Sequence, residues 1–320
     1  MKRLLKRFAK RALLRIHEIG LRLNLVILPK HYYVPIPDLH ELRRNRARWA
    51  RRSPMLGIET DPEGQLRRLR ALVKPFQAEY LANDAHRRAT QGDFGPGFGP
   101  VEAQALHGMI RALKPKRVVE IGSGVSTYCM LAALERNAAE GAAGRMICIE
   151  PHPRPWLRAA PVEFIEAPLQ DADLALFESL AAGDLLFVDS SHTVRVDGDV
   201  NLIVLEVLPR LASGVVVHFH DITFPYDFQR DADRTVFQWM ETAMLHAFLI
   251  GNRRFEILFC LSQLHYDRPE GLRELFPEYR PQPGESGLRA VIGGRRDDFA
   301  DDSREDHFPS SLYLRVTDAS

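Results

Sequence analysis

Cysteine is scarce in this chain. Its 320 residues include three, Cys129, Cys148 and Cys260. They lie far apart with no C-x-x-C spacing, which excludes both a disulfide framework and a zinc knuckle and makes a reducing, cytosolic compartment the default. Long apolar runs are missing as well. No stretch of the N-terminal segment reaches the roughly 18 residues of a spanning helix, and charges break it too often for a signal-peptide core. An excess of one charge is also absent, with 43 basic against 42 acidic residues. At 45% hydrophobic and 27% charged residues, the composition is that of a soluble globular protein with one large domain or a domain plus an extension.

The balance of charge is not even along the chain. Residues 1–52 hold 15 Lys or Arg against Glu18, Asp38 and Glu41, a net charge of +12. In MKRLLKRFAKRALLRIHEIGLRLNLVILPK, Leu5, Phe8, Ala12, Ile16, Ile19 and Leu23 recur at three- and four-residue steps, opposite Lys2, Arg3, Lys6, Arg7, Lys10 and Arg11. This is the pattern of an amphipathic basic helix. Two partners are open for its apolar face: protein, either the body of the chain or a second subunit in a homo-oligomer, and an anionic membrane surface met by residues 1–28. A nucleic-acid partner is not expected, because the segment has no aromatic interleaving and no recognisable module.

His31–Leu39, HYYVPIPDL, is a connector, since two prolines hold it extended. A helical pattern resumes from about Asp61 to Tyr80 with Pro62 in its first turn. GDFGPGFGP, Gly92–Pro100, is either a mobile lid or a flexible linker. The expected division is therefore an extension and connector over residues 1–100 and a main domain over 101–320.

From Val101 the organisation changes. Strands are expected at Arg117–Ile121, Met146–Glu150, Val162–Glu166, Leu185–Asp189, Val215–His220, Phe255–Leu261 and Leu312–Val316, and most of the gaps hold one helical pattern. That is the rhythm of an α/β fold with a largely parallel sheet, in which ligands gather at the carboxyl ends of the strands. The first strand ends EIGSGVST. Gly122 and Gly124 let the backbone turn tightly beside a ligand, and Ser126 is placed to cap a helix starting near Thr127. The second ends in Glu150, 26 residues after Gly124, a place suited to holding a ribose diol or simply to a solvated glutamate.

EIGSG, ICIE, LLFVDSSH and VVVHFHDI, taken together, resemble a class I S-adenosylmethionine-dependent methyltransferase, and most closely the group catalogued as methyltransferase family 24, relatives of metal-dependent O-methyltransferases of sugars and small molecules. The likeness runs from about Val101 to Val316, and HYYVPIP resembles the extension of a bacterial subset of that family. It implies a Rossmann-like seven-stranded, mostly parallel sheet with a reversed final hairpin, interrupted by an insertion at about 265–308. It also implies S-adenosylmethionine held by Glu120, Gly122, Ser123, Gly124, Ser126 and Glu150, with Asp171 near the adenine; Asp171 reads equally as a helix N-cap. A dehydrogenase would show G-x-G-x-x-G, and here the third glycine position is Thr127, which favours the methyl donor over a dinucleotide.

Asp189 and Asp221 end two strands that are neighbours in this topology. Their oxygens suit Mg²⁺ or Mn²⁺, with Glu102, Asp197 and Asp199 as candidates for a third ligand, since Ile222 follows Asp221. His192, three residues past Asp189, is the first choice for a catalytic base and His220 the second; His192 could instead stabilise a helix starting near Thr193, and His218 reads as inward packing. The activity implied is O-methylation of a hydroxyl on a sugar, glycan precursor or small metabolite, in the cytoplasm or at the inner membrane face. Two other classes stay open: a zinc hydrolase built on His218, His220 and Asp221, and a cofactor-binding protein without catalysis.

Overall fold

A computed structural model describes residues 2–80, 84–92, 94, 97–279 and 309–318. Seven strands form one sheet: β1 Arg117–Ile121, β2 Arg145–Ile149, β3 Glu163–Ile165, β4 Leu185–Val188, β5 Val216–Phe219, β6 Phe255–Cys260 and β7 Leu312–Val316. Their order is β3-β2-β1-β4-β5-β7-β6. The first five are parallel, and β7 runs antiparallel to both β5 and β6. This is the Rossmann-like sheet with a reversed final hairpin that the sequence implied.

Apolar runs on both pleat faces explain the burial. Along β1 and β4, Val118, Leu185 and Phe187 enter one core cluster, while Val119, Ile121, Leu186 and Val188 enter another. Side chains alternate across a strand, so apolar residues at successive positions must be covered on both sides; Glu120 is the one charged side chain buried within β1. The helices Pro100–Leu113 and Val125–Ala139 supply Leu106, Met109, Ile110 and Met130 to the first core. The helical run 199–210, with a wider turn at Ile203–Val207, gives Val207 and Leu208 to the second. Strand order reverses between β1 and β4, and the crevice outside their carboxyl ends is where such sheets bind ligands.

Two compact units divide the chain, residues 1–46 and 47–320. The boundary is thus earlier than the expected one at residue 100. The reason lies in the helix Pro62–Val73, whose Leu66, Leu69 and Val73 are buried in the first core and which packs on β6 and on Pro100–Leu113. Asp61 caps this helix by accepting the Gly64 N–H, and Pro75, which has no N–H to donate, ends its regular ladder in the turn Lys74–Phe76. The expected single helix to Tyr80 is therefore broken in two, with Gln77–Tyr80 as the second piece.

In the first unit the helix Lys2–Arg22 is followed by a reversal at Asn24, and Leu25 N–H donates back to Gly20 O at 2.8 Å. None of the described helices is long and apolar enough to cross a membrane. Part of the expected insertion folds as the helices Leu261–Asp267 and Pro269–Leu275; residues 280–308 lie outside the described residues.

Candidate active site

The loop after β1 turns at Gly122, whose φ is +81°. A methyl group there would collide with the carbonyl oxygen of Asp189, so only glycine lets the β1 and β4 ends lie this close. Asp189 N–H donates to Ile121 O at 2.9 Å and locks the same contact from the other side. Helix Val125–Ala139 begins with Gly124 as its cap residue, not Ser126: Thr127 Oγ1 accepts the Gly124 N–H at 3.0 Å. Ser126 instead donates to Glu120 Oε1 at 2.8 Å, and Thr127 to Glu120 Oε2 at 2.6 Å. Glu120 thus turns its buried carboxyl inward beneath the loop.

Burial pushes the Glu120 carboxyl up to about 8, against the hydrogen bonds of Thr127, Ser126 and Cys148, and the charge of Asp189 adds to the rise. Above its ordinary value of 4.5 the unfolded chain releases this proton while the folded chain keeps it until about 8, so stability falls as pH rises through that window. Glu120→Gln removes that slope. In urea unfolding the variant should gain on the parent by up to about 1.4 kcal/mol per pH unit between about pH 5 and pH 8. A difference that stays flat would show that the carboxyl does not titrate there.

Glu150 stands past the end of β2, half-buried, and accepts the backbone N–H groups of Ser123 at 3.1 Å and His152 at 2.7 Å. The open glycine loop, the helix N-terminus behind it and this carboxylate one strand over fit a nucleoside with a charged sulfonium tail. Phe94 adds an aromatic edge, its ring centroid 5.0 Å from Tyr128 and 4.5 Å from Trp156. Asp171 is exposed in the turn Leu169–Asp171, and its carboxylate makes no hydrogen bond or ion pair among the described residues. Nor does it cap a helix: Asp173 accepts the Ala175 N–H of the next one.

Beyond β4 and β5 the charged side chains converge. His192 Nε2 lies 3.3 Å from Asp189 Oδ1 and 3.5 Å from Asp221 Oδ2, and its Nδ1 is 2.8 Å from Glu241 Oε2. His220 Nδ1 lies 3.3 Å from Asp189 and 3.6 Å from Asp221, with Nε2 3.1 Å from Glu102. Two imidazoles are therefore held among four carboxylates. Burial opposes charge on both rings, but Asp189, Glu241 and Asp221 hold His192 well above the usual imidazole range, and Asp221, Asp189 and Glu102 do the same for His220. Burial likewise resists charge on Asp189, yet His220 and His192 keep its carboxyl well below the usual range.

Asp189, His220 and Asp221 each offer a ligand atom within 4.8 Å of the others. Two oxygens and one imidazole nitrogen are a donor set that suits a divalent ion such as Mn²⁺ or Mg²⁺. His220 is thus the residue that stands beside Asp189 and Asp221 in the cluster. Glu102 is one layer further out, accepting from Gly99 N and Ser310 N and facing His220 Nε2, where a carboxylate fixes the tautomer of a ligating ring. Asp199 is spent on Ser191 and Val200, and Asp197 is exposed; neither joins the cluster. His218 also stays out, with Nε2 2.8 Å from Ser311 Oγ and its ring stacked on Tyr313.

No helix starts near Thr193; the next one begins at Asp199. His192 instead has φ +55°, and its carbonyl accepts N–H groups from Met240 and Glu241 at the start of the helix Glu241–Leu249. Glu241 was not singled out from the sequence, because it stands 49 residues away on another element and no spacing announces it. Trp239 closes the other side, its ring centroid 4.7 Å from that of His192.

The family model described as "Methyltransferase domain", family 24, matches residues 119–222, from within β1 to just past Asp221. Over that third of the chain the sequence is similar to a methyltransferase domain, and the sheet order around it is Rossmann-like. An uncharacterised protein of Archaeoglobus fulgidus is 29% identical to this chain over 187 residues, covering 55% of it and 84% of the relative. Among solved structures, the methyltransferase PaMTH1 of Podospora anserina with SAH is 15% identical, with 91% of this chain and 99% of that one covered and a TM-score of 0.37. The O-methyltransferase TomG of Streptomyces achromogenes with SAM is 16% identical, with coverage of 81% and 92% and a TM-score of 0.40.

Proposed function

We propose that this protein transfers a methyl group from S-adenosylmethionine to a hydroxyl of a sugar, glycan precursor or other small metabolite, with a divalent ion held by Asp189, His220 and Asp221. The observation that carries this reading is the contact between Gly122 and Asp189: the loop assigned to the methyl donor and the acid and histidine cluster share one wall. A divalent ion at such a cluster lowers the pKa of an oxygen bound to it.

The chain's own residues do the rest. Gly122, Ser123 and Gly124 offer backbone beside the cofactor, Glu150 takes the ribose hydroxyls, and Glu120 with Ser126 holds the loop from beneath. His192 in its neutral form is the base, receiving the acceptor proton at Nε2, the nitrogen that faces Asp189 and Asp221; a cation held by those two carboxylates would offset the charges that otherwise keep the ring protonated. Glu241 keeps Nδ1 engaged and so fixes which nitrogen faces the acceptor. Trp239 excludes water from one side of the ring. His220 is a ligand in this arrangement, and its second nitrogen is kept on Glu102.

Isothermal titration with S-adenosylmethionine and S-adenosylhomocysteine should show binding of both, and a screen of polyhydroxylated acceptors should show transfer that stops on adding EDTA and returns with Mg²⁺ or Mn²⁺. Binding of neither ligand would sink the methyl-transfer reading, and binding without any turnover would leave a cofactor-binding protein. Transfer indifferent to EDTA would remove the ion from the proposal.

A further inference from the structure

None of the residues placed in the site above belongs to the helix Lys2–Arg22 or the chain up to residue 46. Phe8, Ile16 and Ile19 share one stripe of that helix and are 75%, 49% and 57% exposed. Leu25 and Val26 follow, at 56% and 63%. Tyr32 and Tyr33 are 80% and 79% exposed, with ring centroids 4.2 Å apart. Residues 1–37 contain nine Lys or Arg, among them the exposed Lys10, Arg11 and Arg15, against Glu18 alone, a net charge of +8.

We infer that this segment docks on an anionic lipid surface, the helix lying in the interfacial plane with the tyrosines as neighbouring anchors. The charge decides among the other molecules that could cover the apolar stripe. A second copy laid helix against helix would bury the isoleucines but bring +8 against +8. A nucleic acid would meet the charge and leave the stripe and the tyrosines in water. An anionic bilayer surface satisfies both: its headgroups attract the basic residues, its acyl boundary takes the apolar side chains, and tyrosine is suited to the level between. None of the described helices can span, so the contact is a surface one. This inference does not depend on which reaction the second unit performs.

Flotation of the full chain with phosphatidylcholine vesicles, with and without phosphatidylglycerol, tests it. Binding should be at least about tenfold stronger with the anionic lipid and should weaken as salt is raised. The triple variant Phe8→Ser, Ile16→Ser, Ile19→Ser keeps every charge and should lose at least about tenfold in binding. A second variant, Lys10→Glu, Arg11→Glu, Arg15→Glu, should lose binding to anionic vesicles while its stripe is intact. Unchanged thermal unfolding of both variants shows that the second unit still folds. No binding to anionic vesicles overturns the inference, as does equal binding by the serine variant, which would mean adsorption by charge alone. So would a dimer, seen by light scattering, that the serine variant abolishes while vesicles are ignored.

Discussion

Asp189→Asn should cut methyl transfer by about 10³-fold, the scale on which losing one fixed charge-stabilising group acts, while S-adenosylmethionine binds nearly as before. The substitution keeps the side-chain shape and the backbone contact with Gly122, so the cofactor loop stays in place. What it removes is the carboxylate that stands between both imidazoles, 3.3 Å from each. Asp221→Asn should behave alike. Calorimetry for cofactor affinity beside initial rates for transfer separates the two effects, and added Mn²⁺ should restore part of the activity if ion affinity is what was lost. A variant that loses cofactor affinity in proportion to rate would place Asp189 in loop structure instead of in the reaction.

Glu241→Gln should lower kcat by about 10- to 100-fold with KM little changed, the range seen when the partner that orients a working histidine is lost. Glu241 is 1% exposed, and its Oε1 has no hydrogen-bond partner among the described residues. Burial pushes its carboxyl up, with the His192 contact pulling it back. Removing the charge of one partner leaves the buried His192 ring less compensated, so the substitution should also lower stability, which urea unfolding measures. His192→Ala should cost more in rate. The double variant should be no slower than His192→Ala alone, because Glu241 acts through the ring. Additive losses in the double variant would contradict that arrangement.

The sheet was legible because its strands are apolar on both faces and each ends at a residue of another character. Arg117–Ile121 and Leu312–Val316 stand where periodicity placed them, and the other ends shifted by one residue or so. Asp189 and Asp221 were legible for the same reason, as charges closing buried runs. The nearness of His220 to both was not, because a residue next to a strand-end aspartate is expected on the opposite face. β5 stops at Phe219, and Asp221 has φ +58°, so His220 and Asp221 both reach the same cluster. His192, at φ +55°, is turned by the same backbone device. Left-handed conformations at non-glycine residues cost energy and leave no mark in composition, so neither reversal could be read in advance. Glu241 was hidden for a simpler reason: its partner is made by tertiary packing of a helix start on a distant loop.

The collision that forbids a side chain at Gly122 also bears on how the proposed methyl transfer could be retargeted. One wall of the reaction space is backbone against backbone, with no atoms to trade and no variant residue that fits. Selection for a new acceptor would then accumulate its changes beside the His192 ring, at Trp239, whose ring centroid lies 4.7 Å away. Libraries confined to that position should hold most of the achievable range.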